Sequence, residues 1–145
     1  MLRNKVTEGA MVCDMSDRIT SCDEAYAVTT REGNVTACAR SVMKLVRAQA
    51  AGPGTPASDE TIRYGDTVRI VSNEFICNKS LYLSSQPISP LAFARFSRNQ
   101  EVCLLNGSGY NTVWKIWPAE GHRNGGMGQP VIASQKIILE HCATT

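Results

Sequence analysis

Short segments of alternating or continuous apolar residues, separated by turns rich in glycine and asparagine, recur along the chain. Segments of this kind predict β-strands, and several of them in succession are typical of a β-barrel or sandwich. The predicted strands are residues 67–71, 81–85, 101–105 and 130–133, with a turn at 106–109 and a glycine-rich loop at 120–128.

A further predicted strand, residues 112–117, contains two tryptophans three positions apart. Successive side chains of a strand point to opposite faces. Trp114 and Ile116 should therefore share one face, which we expect to be core, while Lys115 and Trp117 share the other.

One segment, residues 36–49, has a different period. Its apolar positions recur at helical spacing, and basic residues fall on the opposite side, which predicts an amphipathic helix. The glycine- and proline-rich segment 52–56 would end this helix and act as a linker. The residues that recur at helical spacing are Cys38, Val42, Leu45, Val46 and Gln49, and the basic stripe is Arg40, Lys44 and Arg47.

An internal repeat relates the first two predicted strand pairs at an offset of 56 positions. The matched residues are Gly9 with Gly65, Val12 with Val68, Ser16 with Ser72 and Tyr26 with Tyr82. A third copy would begin with the strand in residues 135–142, and the chain ends before its second strand. We therefore expect a truncated form of a longer protein, since an incomplete repeat leaves a strand edge unpaired.

The internal repeat and the segment between its two copies predict a single domain over residues 1–145. Its parts would be repeat one (1–35), a helical insertion and linker (36–60), repeat two (61–127) and the start of repeat three (128–145).

Composition narrows the protein class. With 145 residues, 43% hydrophobic and 19% charged residues and a net charge of +2, the chain is neither a disordered tail nor a nucleic-acid-binding arm. No apolar run is long enough to cross a membrane, and the N-terminus lacks the apolar stretch of a signal peptide. The expected compartment is the cytoplasm, with no membrane or nucleic-acid partner.

The six cysteines fit a reducing compartment. None forms a Cys-x-x-Cys pair, so no zinc site is expected, and we expect reduced thiols. Three Asn-x-Ser/Thr sequons, at Asn34, Asn78 and Asn106, are interpreted as accidental, because a chain with this much serine and threonine contains about one by chance.

Catalytic motifs are absent from the sequence. It has no phosphate loop, dinucleotide fingerprint, His-Glu-x-x-His or Gly-x-Ser-x-Gly element. A Cys–His pair such as Cys103 with His141 is conceivable, but a structural histidine is the preferred interpretation. We expect no enzyme activity, catalytic residue, cofactor, metal or small-molecule substrate.

Two patches and one loop are candidates for partner contact. The basic stripe is either a solvated helix face or a docking surface for an acidic partner. The segment 90–99 interleaves aromatic and arginine residues, as interface centres do, although its phenylalanines could instead plug a barrel. The candidate contact residues are Arg40, Lys44, Arg47, Phe93, Arg95, Phe96 and Arg98, together with His122 and Arg123 in the glycine-rich loop.

Four segments together resemble the MIR motif, a β-trefoil repeat shared by inositol trisphosphate receptors, ryanodine receptors and protein O-mannosyltransferases. They are residues 62–70, 81–85, 114–116 and 128–134. The resemblance implies an all-β, MIR-like β-trefoil. The basic residues are scattered, whereas inositol-phosphate binding needs several cations converging on one pocket.

A narrower resemblance, over residues 60–145, is to the family of cilia- and flagella-associated protein 161. It is carried by residues 81–85, 100–104, 111–114, 130–133 and 136–142. This family implies a structural microtubule inner protein of ciliary and flagellar doublets, bound to the luminal wall of the A-tubule. Its partners would be tubulin and other microtubule inner proteins. The alternative is a MIR-type binding module for a sugar, an inositol phosphate or a peptide.

Overall fold

The structure, a computed structural model, describes residues 1–19, 25–49, 60–76, 78–95, 97–119 and 126–144. Within these described ranges, two short 3-10 turns, Glu74–Ile76 and Tyr110–Thr112, accompany eight strands. The strands are β1 (Ala10–Arg18), β2 (Ala25–Arg31), β3 (Lys44–Arg47), β4 (Thr67–Val71), β5 (Leu81–Ser85), β6 (Val102–Asn106), β7 (Trp114–Pro118) and β8 (Ile137–His141).

All eight strands belong to one antiparallel sheet. Seven of them follow the order β1-β2-β6-β5-β4-β7-β8, and β3 pairs with β4. Strand β4 is therefore the central element, with β3, β5 and β7 all paired to it. The expectation of an all-β protein is confirmed.

The two strand pairs related by the 56-residue offset have equivalent registers. Asp14 of β1 pairs with Ala27 of β2. Moving both residues forward by 56 positions gives Ile70 and Leu83, which lie in the register set by the observed Val71–Tyr82 pair. The domain boundaries drawn from the repeat stay a prediction.

The core lies on one face of the central strands. Val68, Ile70, Leu81, Leu104 and Ile116 are completely or almost completely buried. Their alternation with half-exposed neighbours follows the two-residue period of a strand.

The two faces of β7 are as the sequence predicts. Trp114 and Ile116 are buried, whereas Lys115 and Trp117 lie on the other face, with the Lys115 ammonium 4.3 Å from the centre of the Trp117 ring. The face assignment of the two tryptophans is confirmed.

A tight turn leads into β4. Gly65 has φ +96°, a conformation that side chains with a β-carbon rarely adopt, and its N–H donates to the Ile116 carbonyl at 2.8 Å. The Asp66 carboxylate accepts the Arg63 N–H at 2.9 Å and closes the same turn.

The predicted inserted helix is wrong. Residues 39–41 form a turn and residues 44–47 form β3, which pairs with β4 from Lys44–Val71 to Arg47–Val68. A short apolar run fits both a helical and an extended period, and here the hydrogen bonds supplied by β4 favour the extended form. The linker 52–56 and most of the glycine-rich loop (120–125) lie outside the described residues.

The predicted strand at 130–133 is also wrong. In this segment the described pairing is one isolated bridge, between Pro130 and Arg63. Proline has no N–H to donate to a ladder, which disfavours extension of the bridge into a strand.

Candidate partner-binding surface

A groove of about 660 Å³ lies on the outer face of β3, β4 and β5. Directly opposed residues of antiparallel strands point to the same face, so the pairs Lys44–Val71 and Val46–Arg69 both line it. Tyr82, which is paired with Val71, continues the surface onto β5. The inner faces of these strands form the core.

Exposed aliphatic side chains form part of the groove. Val42 and Val46 are each 39% exposed, and Met43, which also lines the groove, packs against the core. Polar residues also line the groove: Ser72, Asn73, Glu74, Ser80 and Ser108. The groove therefore combines apolar contact area with hydrogen-bonding groups, as binding sites generally do.

Arg69 brings a fixed positive charge to this groove. Its Nε donates to Thr112 Oγ1 at 3.3 Å, its Nη1 to the Ala48 carbonyl at 3.0 Å, and its Nη2 to the Ser108 carbonyl at 3.3 Å. All three acceptors are neutral. Among the residues that the structure describes, no carboxylate pairs with this guanidinium.

Lys44 and Glu74 place opposite charges at different parts of the groove. Lys44 is exposed on β3, and within the described ranges its ammonium forms no ion pair. Glu74 follows β4 and accepts the Ser80 hydroxyl at 3.2 Å. The groove thus contains two cations and one anion.

The predicted basic stripe does not form. Arg40 is exposed in the turn before β3, and its carbonyl accepts the Cys13 N–H at 2.9 Å. Lys44 and Arg47 point to opposite faces of β3, because three positions separate them on a strand. Arg47 instead turns to Asp66, with Nη2 at 3.2 Å from Oδ2, and also donates to the Thr61 carbonyl. Arg47 therefore anchors β3 to the turn before β4.

The aromatic and arginine segment forms a small surface cluster. The Arg98 guanidinium lies 5.3 Å from the centre of the half-buried Phe93 ring, a cation–π distance, while Arg95 is exposed. Phe96, His122 and Arg123 lie outside the described residues. Their assignment to a contact surface stays a prediction.

A second cavity, of about 420 Å³, is lined in part by His141 and Trp114, whose ring centres are 4.6 Å apart. The Asn111 carbonyl lies 2.9 Å from His141 Nε2, so Nε2 carries a proton and donates. Nδ1 lies 2.9 Å from Thr144 Oγ1, which also accepts from Gln100 Nε2 at 2.9 Å. Both ring nitrogens of His141 are therefore hydrogen-bonded, as expected of a structural histidine.

The turn at 38–42 places an exposed thiol beside a buried hydroxyl. Ser41 Oγ lies 3.7 Å from Cys38 Sγ. This hydrogen bond is the main cause that holds the pKa of the Cys38 thiol below its usual value, and a second hydrogen bond, from the Arg40 backbone, lowers the pKa further. Burial is the main cause that raises the pKa of the Cys142 thiol, and the negative charge of Glu140 raises it further. Cys38 is therefore the more acidic of these two thiols.

The described part of the chain contains no cluster of three histidine, cysteine or acidic side chains that could hold a metal ion. It also contains no helix with the length and hydropathy needed to span a bilayer.

The groove residues Arg69, Val46 and Tyr82 were missed in the sequence as functional candidates. One signal was present for Arg69, because it stands between the core residues Val68 and Ile70 and strand alternation places it on the outer face. The approach of Lys44 to Arg69 depends on the β3–β4 register, which has no local signal.

Comparison with models of known protein families finds no match. The chain is similar to cilia- and flagella-associated protein 161 of Bos taurus, with 33% identity over 86 residues. The match covers 59% of this chain and 27% of the relative, so the chain spans about a quarter of that protein.

Proposed function

We propose that this chain is a structural microtubule inner protein of ciliary and flagellar doublet microtubules. It binds the luminal tubulin wall, in the A-tubule, beside other microtubule inner proteins, and it stabilises the axoneme without catalysing a reaction. The observation that carries the proposal is the 86-residue similarity to a cilia- and flagella-associated protein.

The architecture supports a binding role. An antiparallel sheet presents loops and an outer face to which partners can bind. We infer that the sheet is a β-trefoil of MIR type whose two related strand pairs are β1–β2 and β4–β5. The contact surface consists of Arg40, Lys44, the cluster around Phe93 and Arg98, and the groove.

Fractionation of flagellated cells tests this function. A tagged form of the protein is expressed, axonemes are extracted with detergent and then with high salt, and doublets are separated from the soluble matrix. Retention of the protein with salt-extracted doublets is the expected result. Release into the matrix or the membrane fraction would refute the proposal, provided that a known doublet protein stays in the pellet.

A second candidate is a binding module for a sugar, an inositol phosphate or a peptide. The groove with Arg69 and Lys44 favours it, because a ligand anion could neutralise these cations. Such a module in the secretory lumen would be glycosylated at the exposed Asn34 or Asn78. Mass spectrometry of the protein from its native cells decides this, since an occupied sequon excludes the axoneme.

A further inference from the structure

Lys44 and Arg69 are attached to the sheet at a spacing that suits one kind of occupant. Lys44 is opposite Val71, and Arg69 is two positions earlier on β4, so the two residues are diagonal neighbours on the same face. The α-carbons of diagonal neighbours of this kind are roughly 7–8 Å apart. Alternate residues of an extended peptide are separated by about 7 Å and point to the same side.

The guanidinium of Arg69 is held in place before any partner arrives. Its bonds to Thr112, Ala48 and Ser108 fix the side chain, and Thr112 is itself bonded to the Gly109 carbonyl at 2.6 Å. A fixed cation loses little conformational entropy on binding. Its neutral acceptors leave the positive charge to be balanced by a carboxylate.

The aliphatic part of the groove adds a second requirement. Val42 and Val46 remain partly exposed beside the cations, and apolar area of this kind is covered by an aliphatic side chain of the partner. Glu74, which also lines the groove, disfavours a strongly acidic ligand that would fill the whole of it.

We propose that this groove binds an extended acidic segment of a protein partner. Two carboxylates, two residues apart, face Lys44 and Arg69, and an aliphatic side chain of the same segment packs on the exposed valines of the groove, Val42 and Val46. This inference deepens the proposed function, on which it rests for the identity of the partner, because it assigns the contact to a defined site and a defined peptide chemistry.

Fluorescence anisotropy with the full chain tests the site. The probe is a labelled peptide containing Glu-Ser-Glu-Ser-Val, and the matched probe has glutamine in place of both glutamates. We expect saturable binding of the acidic probe that weakens with salt, and binding of the glutamine probe about tenfold weaker.

Two variants locate the binding. Lys44→Glu should weaken binding of the acidic probe about tenfold, whereas Lys5→Glu, the same charge change at an exposed turn before β1, should leave it within about twofold. Arg69→Gln removes the charge and keeps an amide N–H donor near the position of Nε, which faces Thr112, so it should also weaken binding. If Arg69→Gln unfolds, as circular dichroism would show, the Lys44→Glu comparison still decides.

Several outcomes would overturn the proposal. They are no saturable binding, equal binding of the two probes, equal loss in Lys44→Glu and Lys5→Glu, or tight binding of inositol hexakisphosphate in this groove without binding of the acidic probe.

Sedimentation of the same variants with salt-extracted doublets separates the two proposals. If the Lys44→Glu variant sediments with doublets as well as the unmodified chain does, the proposed ciliary function is supported and the groove is refuted as its contact surface. Probe binding that depends on Lys44, in a chain that never sediments with doublets, preserves the groove and refutes the ciliary function.

Discussion

The two tryptophans of β7 offer a matched test of what stabilises the sheet. Trp114 is 7% exposed, and its indole N–H donates to the Leu83 carbonyl at 2.8 Å. Trp114→Phe removes this donor and part of the ring. The unsatisfied buried carbonyl should cost about 1–2 kcal/mol and the smaller ring about 1–2 kcal/mol. The expected loss in the free energy of unfolding is therefore about 3 kcal/mol.

Trp117→Phe is the control in the same strand. Trp117 is half-buried on the opposite face, and its indole N–H donates to Glu140 where water can replace it. The expected cost is below about 1 kcal/mol.

Urea unfolding followed by far-UV circular dichroism measures both variants. We expect the midpoint of Trp114→Phe to fall with the slope of the transition unchanged, and its Tm to drop by roughly 6–12 °C. A loss below about 1 kcal/mol for Trp114→Phe, or equal losses in the two variants, would refute the assignment of the Leu83 hydrogen bond and the buried ring as major stabilising contacts.

Three further predictions concern a thiol, a carboxyl group and a turn. The rate at which iodoacetamide alkylates Cys38 should be half-maximal at a pH below the usual pKa of a thiol. Ser41→Ala should move the midpoint of this pH–rate curve upward, and an unchanged midpoint would exclude the hydrogen bond as the cause. Burial raises the pKa of the Glu101 carboxyl, so the folded protein becomes less stable as the pH rises and this group ionises. Glu101→Gln should therefore stabilise the protein slightly at pH 7 and lose this advantage below about pH 4. Thermal unfolding of the variant and the unmodified chain at both pH values measures the difference. Gly65→Ala should lower the free energy of unfolding by about 1–2 kcal/mol because φ is +96°, and Gly33→Ala, with φ +85°, should lower it by a similar amount, since the flexible end of the Met127 side chain can move away from a β-carbon at position 65; an unchanged urea midpoint for Gly65→Ala would contradict the backbone strain.

Local sequence signals were sufficient for the central strands. β4 and β5 have the bounds that their apolar patterns predict, and the two faces of β7 follow from strand alternation alone. These segments combine β-branched or aromatic residues with flanking turn residues, so local preference and tertiary packing favour the same structure.

The assignment of residues 36–49 fails for a non-local reason. β3 is only four residues long and owes its extended form to β4, more than twenty positions later. The candidate site shares this origin, because Lys44 and Arg69 become neighbours only through the same pairing. Arg47, expected on the surface, instead pairs with Asp66, 19 positions later in the chain. The residue pattern of one segment cannot predict these contacts, because each of them joins two segments that are distant in the sequence.

The pairing of β2 with β6 has a consequence for how the protein is made. Ala25 is paired with Leu105, roughly eighty positions later in the chain. During synthesis, β1 and β2 must wait for β6 to emerge, which takes about 4–16 s at 5–20 residues per second. Throughout that interval the β2 edge is open to other chains. Nascent chains of this protein are therefore expected to need holding chaperones on the ribosome.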